Sequence, residues 1–255
     1  MSVDNWINFW KSHSGTGYHE EDLDIANSWP KFDTTPDFSL TSKYPRNFHP
    51  LLFPMPYVGN LKEATLILAM LNPTVGPYDY QDQSTEKFRL LAEAHRKQQD
   101  VTGCFAVDDT CGIRSWFEYY RSIFRSAVVK TAEESKCMED VVWAELIRRL
   151  AIVELVPYYS KTADELIKSD RYLGLRSVML ALDAMKEIQK RPGVKILCRW
   201  RRGPERWRLD RGSCVLLSTR QGMDAAAKDA VCKHLTGFLH PHAKTEERPA
   251  PLEIE

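Results

Sequence analysis

The architecture of the protein follows from one stretch of its chain, Ala64-Thr65-Leu66-Ile67-Leu68-Ala69-Met70-Leu71-Asn72-Pro73. An apolar run of this kind, closed by a turn signal, is typical of a β-strand that is buried on both faces. The Asn-Pro pair ends the run because proline cannot donate to a strand ladder and disfavours helical geometry in the residue before it. We therefore expect a strand near the middle of a sheet.

Three more apolar runs of similar length lie at residues 151–156, 194–198 and 214–217. Stretches with apolar residues at helical spacing separate them, at residues 88–94, 116–124, 138–150 and 175–188, and another follows at 223–238. Strands that alternate with helices predict a parallel sheet covered on both faces. The sequence thus predicts an α/β protein, a three-layer α/β/α sandwich with a short, mostly parallel four-stranded central sheet.

The region before the first strand has a different composition. Val3, Trp6, Ile7 and Trp10 fall at helical spacing, and prolines and aromatics then crowd the chain up to residue 60. We expect residues 1–60 to form an N-terminal helix and an arm packed on the core. Residues 61–240 form the predicted α/β domain, and residues 241–255 a flexible tail.

The composition restricts the classes of function. The 255 residues carry 35 basic and 35 acidic side chains, so no global field favours nucleic acid or acidic lipid. No apolar run approaches the roughly 20 residues of a membrane helix, and the first residues do not resemble a secretory signal. The six cysteines form no CxxC pair. We expect a cytoplasmic monomer with no membrane partner, no metal and no cofactor.

Motifs of several common enzyme classes are missing from the sequence. No GxGxxG or P-loop follows a predicted strand, which argues against a phosphate-cradling nucleotide site. Neither GxSxG nor HExxH occurs, which removes the common serine hydrolases and zinc proteases. In parallel sheets, ligands bind beyond the carboxyl ends of the strands, where the strand order reverses. The loops at residues 72–80, 157–160 and 218–222 are therefore the candidate site.

The segment Pro56-Tyr57-Val58-Gly59, a short spacer and residues 64–73 resemble the first motif region of the uracil-DNA glycosylase superfamily. Several branches of that family carry an apolar strand that ends in a Gly-x-Asn-Pro-Gly loop. Here the letters are Met70-Leu71-Asn72-Pro73-Thr74, so Asn-Pro is kept and both glycines are replaced. The order of elements matches over roughly residues 56–238. The resemblance implies that DNA is the partner, single-stranded or with a damaged base.

The fourth strand departs from the family pattern. The family has a His-Pro-Ser loop there, whose histidine hydrogen-bonds the base oxygen that gains charge. This chain has Ser218-Thr219-Arg220-Gln221-Gly222 instead, with neither His nor Pro. Arg220 is the cationic donor available to replace the histidine. The resemblance thus implies Asn72 and Arg220 as catalytic residues, with activity reduced by the missing histidine.

Neighbouring side chains on the three loops are candidates for the base pocket: Pro73, Tyr78, Tyr80, Tyr158, Ser160, Ser218 and Gln221. Each has a structural alternative, since Asn-Pro is a common turn and the tyrosines can pack beneath their loops. Asp79 and Glu154 are the nearest carboxylates. Glu154 lies inside an apolar strand, where we expect a structural salt bridge rather than catalysis.

Residues 199–211 hold six arginines and two tryptophans between two predicted strands. Such a mixture binds nucleic acid, with arginine on phosphates and tryptophan stacked on bases. The alternative is a solvated turn whose tryptophans cover the core and whose arginines pair with Glu205 and Asp210. The predicted nucleic-acid contacts are Arg199, Trp200, Arg201, Arg202, Arg206 and Arg208.

Three hypotheses of function follow. The first is a uracil-DNA-glycosylase-like protein that binds DNA and hydrolyses the N-glycosidic bond of a damaged or deaminated base. The second is a nucleic-acid-binding module of the same fold without catalysis. The third is a hydrolase or transferase acting on a free nucleoside or another small molecule. Salt-dependent binding of single strands separates the first two from the third.

Overall fold

The structure, a computed structural model, describes residues 2–29, 48–160, 170–199, 202–217 and 222–239 of the chain. Within these ranges five strands form one sheet in the order β1-β3-β2-β4-β5. Their bounds are Tyr57–Val58 (β1), Leu66–Met70 (β2), Leu150–Glu154 (β3), Lys195–Cys198 (β4) and Cys214–Leu216 (β5). The last four strands are parallel, and β1 pairs antiparallel with β3.

The expectation of four strands is therefore wrong, because β1 adds a fifth strand and makes the sheet mixed. β1 has only two residues, between Pro56 and Gly59, too few to give an alternating pattern. Gly59 is required at its end: its φ is +102°, and a Cβ atom there would overlap the carbonyl oxygen of Leu150. The extra strand thus escapes sequence analysis because it is so short, and glycine is needed at its end because the turn approaches β3 closely.

The longer helices of the described ranges fall where the apolar spacing predicts them, and three short helices are additions. Their bounds are Ser2–Ser12 (α1), Leu23–Ala26 (α2), Asp79–Ser84 (α3), Glu86–Lys97 (α4), Arg114–Ser135 (α5), Glu139–Arg149 (α6), Arg176–Gln189 (α7), Gly203–Arg206 (α8) and Ala225–Leu239 (α9). The additions are α3, which begins within the loop predicted at residues 72–80, and the single-turn helices α2 and α8. None of the helices described is long and apolar enough to cross a membrane.

Core residues lie on both faces of the sheet. On one face, Ile67, Ala69 and Val153 pack with α1 and α7. On the other, Leu68, Met70 and Ile152 pack with residues of α4, α5, α6 and α9. This division follows from the strand pleat, which sends alternate side chains to opposite faces. We call the first the arm face and the second the α5 face.

The N-terminal helix is part of the core. Trp6 and Trp10 of α1 are fully buried against the arm face. Glu187 of α7 accepts hydrogen bonds from the backbone N–H groups of Ser2 and Val3, at 2.7 and 3.3 Å. The carboxylate satisfies two of the free N–H donors at the start of α1 and complements the helix dipole. The first helix is thus held to α7 by apolar packing and by a specific cap.

Candidate functional site

The strand order places the point of reversal between β2 and β4. The chain passes from β2 to β3 on one side, returns across β2 to β4, and continues outward to β5. The connections leaving β2 and β4 therefore diverge, which opens a crevice beyond the carboxyl ends of these two neighbours. The residues that emerge there are Leu71 and Asn72 after β2 and Arg199 after β4. We call this region the carboxyl edge.

Asn72 is fixed in place by the loop that follows β3. Its Nδ2 donates to the Oγ of Ser160 at 2.9 Å, to the carbonyl of Pro73 at 3.1 Å and to the carbonyl of Ser160 at 3.4 Å. Thr74 and Ser160 also form a parallel β-bridge, so two of the three predicted loops meet. The donors of the Asn72 amide are occupied, whereas its Oδ1 accepts nothing from the described residues. Asn72 can therefore accept a hydrogen bond from a ligand or water.

Glu154, Met70 and Arg199 form a row across three strands. Glu154 pairs with Met70, and the β2–β4 register places Arg199 beside Met70 on the other side. Partners in a parallel ladder point to the same face, so all three side chains lie on the α5 face. Glu154 and Arg199 are only 2% and 7% exposed. The carboxyl edge thus holds an acid and a cation two strand spacings apart, roughly 10 Å.

Two consecutive tyrosines of α5 cover this row. The hydroxyl of Tyr120 donates to Oε1 of Glu154 at 3.2 Å, and the guanidinium of Arg199 lies 5.6 Å from the ring centre of Tyr119. Oε2 of Glu154 is buried without a partner. The salt bridge expected for Glu154 is absent, since no described cation pairs with it. Burial raises the pKa of Glu154 well above its usual range, against a smaller lowering by Tyr120. Burial therefore favours the protonated form of this carboxyl, which offers an O–H donor.

Asp79 is a second buried acid, at the start of α3. Its Oδ2 accepts the N–H of Gly76 at 2.5 Å, and its Oδ1 has no partner. Burial raises the pKa of Asp79 to about 7; the Gly76 N–H opposes this change, and the nearby Asp82 adds to it. Asp79 therefore changes its protonation state within the physiological range, which is a common property of functional carboxyl groups.

Tyr159 connects the two acids. It is fully buried, and the neighbourhood of Asp79 and of Glu154 raises the pKa of its hydroxyl further, beyond the effect of burial. The groups around it interact mainly with one another: Ser115 and Trp116 lie close enough to Asp79 to lower its pKa, and Gln83 and Trp116 lie close enough to Tyr159 to lower that of its hydroxyl. Buried polar groups in folded proteins nearly always have partners. The carboxyl edge therefore has a polar interior.

The other predicted pocket residues lie in several environments. Pro73 and Ser160 are buried beside Asn72, and Tyr78 is 46% exposed at the start of α3. The hydroxyl of Tyr80 lies 2.7 Å from Nδ1 of His49. Tyr158 is on the arm face, where its hydroxyl donates to Asp22 at 2.6 Å. Tyr158 and Tyr159 follow β3 and lie on opposite faces of the sheet. The structure therefore places Tyr159, not Tyr158, at the carboxyl edge.

The basic segment after β4 is divided between core and surface. Trp207 is fully buried and donates its Nε1–H to the carbonyl of Met70 at 3.0 Å. Arg206 pairs with Asp170 at 3.0 Å, whereas Arg202 and Arg208 are exposed. Predicted residues that lie outside the described ranges are Trp200, Arg201, Ser218, Arg220 and Gln221. The described part of the segment therefore supplies one buried cation at the edge and four arginines on the surface, Arg202, Arg206, Arg208 and Arg211.

Sequence reasoning missed Tyr119, Tyr120 and Trp116, because helical spacing is as typical of core aromatics as of site residues. The only signal available in the sequence was the pair of adjacent tyrosines. In the structure Tyr120 contacts Glu154 and Tyr119 contacts Arg199. Within the described ranges no three His, Cys, Asp or Glu side chains are grouped so as to hold a metal ion.

The comparisons with known proteins found no matching family model, curated protein or solved structure.

Proposed function

We propose that the protein is a uracil-DNA-glycosylase-like α/β/α protein that binds DNA at its carboxyl edge and hydrolyses the N-glycosidic bond of a damaged or deaminated base. The observation that carries this proposal is the placement of Asn72. It stands at the end of the central strand β2, at the point where the strand order reverses, with its amide orientation fixed by Ser160.

The reaction needs a positioned water. Its oxygen forms the new bond to C1′ of the sugar, the bonding pair of the broken C–N bond leaves with the base, and the proton released by the water ends on the base. The free Oδ1 of Asn72 is suited to accept a hydrogen bond from that water. Because an amide is not basic enough to ionise water, Asn72 contributes orientation rather than proton abstraction. We therefore expect slow hydrolysis.

The leaving base gains negative charge and needs donors. The Arg199 guanidinium and, in its protonated form, the Glu154 carboxyl are two donors on the α5 face of the same edge. A well-placed donor at such a site contributes on the order of 10²–10³ in rate. Arg199 directly follows β4 and is a described alternative to Arg220 for the role of the missing histidine.

The surface arginines support DNA as the partner. Arg202, Arg206 and Arg208 line a cavity of about 280 Å³, together with Asp170, Glu205 and Tyr172. They follow β4, as Arg199 does, and we propose that they contact the phosphates of a strand whose base enters the carboxyl edge. Phosphate contacts of this kind orient a nucleic acid without reading its sequence.

A second function, DNA binding without catalysis, is favoured by the residues at the ends of β2 and β3. The amide of Asn72 is not basic enough to ionise water, and burial favours the protonated form of Glu154. These two residues can therefore hold a nucleobase without cleaving its bond to the sugar.

Base release under single-turnover conditions tests the proposal. Excess protein is incubated with single-stranded oligonucleotides that contain uracil or hypoxanthine, and abasic sites are revealed by alkaline cleavage. We expect product with the wild type, and a rate lower by about 10²-fold or more with Asn72→Ala. Asn5→Ala, at an exposed position of α1, is the matched control and keeps the wild-type rate. Salt-sensitive binding with no product from the wild type would favour the binding module.

A further inference from the structure

Arg96, near the end of α4, is a buried cation without an ionic partner. Its side chain is 1% exposed, and Nη1 donates to the carbonyl of Gly15 at 3.3 Å. Its Nε and Nη2 have no partner. The nearest carboxylate that influences it, Glu93, forms its ion pair with Lys97 at 3.2 Å. Buried charges are ordinarily paired, because leaving them unpaired in a medium of low dielectric constant costs several kcal/mol.

A cavity of about 460 Å³ lies next to this arginine. Arg96 stands behind its wall, since the guanidinium lies 5.9 Å from the ring centre of Phe53, which lines the cavity. Its hydrogen-bond acceptor, Gly15, precedes the lining residue Thr16. This volume is within the range of small-molecule sites and far exceeds that of a single water.

The polar lining of the cavity favours an anion. Arg89 lines it, seven residues before Arg96 and thus about two turns away on the same face of α4. Arg89 forms no ion pair with a described carboxylate; its Nε donates to the carbonyl of Gln83 at 3.4 Å. The lining also includes Thr16 and Gln81 and contains no Asp or Glu among the described residues. Two uncompensated cations therefore act on one cavity.

Part of the lining is apolar and aromatic: Leu51, Phe53 and Tyr80. Nearby His13 adds no charge near neutral pH, because burial, and to a smaller degree Arg96, lowers its pKa to about 4. The cavity thus combines fixed positive charge with an apolar surface. Its described lining includes Gln83, which also lies beside Tyr159, but none of Asn72, Glu154 or Arg199.

We infer that this cavity binds a phosphomonoester that carries a flat apolar body, such as a mononucleotide, with the phosphate on Arg89 and the body against Phe53 and Tyr80. The buried charge of Arg96 strengthens the attraction from behind the wall without touching the ligand. The same chemistry is offered by a free mononucleotide and by the 5′-phosphorylated end of a DNA strand. The inference does not depend on the proposed function, since Asn72, Glu154 and Arg199 take no part in it.

Isothermal titration calorimetry of the full chain at low salt tests the inference. The probes are thymidine 5′-monophosphate and thymidine, and a 5′-phosphorylated and a 5′-hydroxyl oligonucleotide of the same sequence distinguish the two sources. We expect the phosphorylated member of at least one pair to bind at least about tenfold more tightly, as the loss of one charged contact predicts.

Substitutions test whether the preference for phosphorylated probes arises in this cavity. Arg89→Gln is expected to remove it, and Arg125→Gln, which deletes an exposed arginine of α5, to leave it unchanged. Arg96→Lys keeps the buried charge and the preference, and Arg96→Met lowers the preference if circular dichroism shows that it folds. Equal binding of phosphorylated and unphosphorylated probes, or a preference that survives Arg89→Gln, would overturn the inference.

Discussion

Asp22 on the arm face and the two acids at the carboxyl edge are equally buried, but they differ in the hydrogen bonds that their carboxyl oxygens accept. Asp22 is fully buried, and each of its oxygens has a donor: the hydroxyl of Tyr158 at 2.6 Å and the N–H of Ser177, in the first turn of α7, at 3.1 Å. Glu154 has a single hydrogen-bond partner, Tyr120, and Asp79 accepts one close hydrogen bond, from the N–H of Gly76. A buried acid with two strong donors holds elements together, whereas burial with fewer donors raises the pKa of the acid.

The largest expected effect is the pH dependence caused by Asp79. Its pKa is about 7 in the folded chain and 3.8 in the reference state, so between these values the folded protein binds the extra proton. The free energy of unfolding therefore falls as the pH rises from about 4 to 7, by up to about 4 kcal/mol from this group alone.

Urea denaturation at pH 4.5, 6 and 7.5 measures this slope. Asp79→Asn removes the titrating group and keeps an oxygen for the N–H of Gly76, so its slope should be shallower than that of the wild type. The difference between the two proteins isolates Asp79 from the other carboxyl groups. Identical slopes would mean that Asp79 is not protonated in the folded chain.

Asp22→Asn should have the second largest effect. The amide cannot accept from both Tyr158 and the start of α7 in the same orientation, and one charge-assisted bond is lost. We expect a decrease of about 3 kcal/mol in the free energy of unfolding. Asp24→Asn, at an exposed position one turn away, should change it by less than about 0.5 kcal/mol. A small loss for Asp22→Asn would remove the contrast between the two faces.

Glu154→Leu should not lower the free energy of unfolding as Asp22→Asn does. Combined with Tyr120→Phe, so that the buried hydroxyl does not lose its acceptor, it removes a buried carboxyl whose Oε2 is unsatisfied, and we expect stability to change by less than about 1 kcal/mol or to rise. Glu145 of α6 is the matched control: it pairs with Arg148 and Arg149, and Glu145→Leu should destabilise by about 1 kcal/mol. Differential scanning calorimetry distinguishes the signs. A loss of several kcal/mol for the double variant would make this acid structural.

The smallest effect concerns the surface arginines. Arg202→Ala and Arg208→Ala should leave stability unchanged and lower the salt slope of DNA binding by about one unit for each phosphate contact removed. Fluorescence anisotropy between 50 and 200 mM salt, roughly the range over which such contacts are resolved, measures this slope. An unchanged slope in the double variant would place the DNA elsewhere on the protein.

The longer strands and helices could be predicted because each has a pattern of its own in the sequence, either an apolar run or apolar residues at helical spacing. β1 could not, since two residues carry no period. The row of Glu154, Met70 and Arg199 was also beyond sequence analysis, because it depends on strand register between segments far apart in the chain. Sequence reasoning proposed Asn72 and its loop as candidates, and this stays a prediction. It could not decide which of Tyr158 and Tyr159 faces the site, because that choice depends on how the loop leaves β3.

The most direct test of the carboxyl edge as a nucleobase site is the affinity for a uracil-containing single-stranded oligonucleotide, measured by fluorescence anisotropy at one fixed salt concentration. Asn72→Ala removes the amide that the edge holds in place, and Asn5→Ala removes an exposed amide of α1. We predict that Asn72→Ala binds at least about tenfold more weakly than the wild type and that Asn5→Ala binds equally well. Equal affinities for all three proteins would contradict the account.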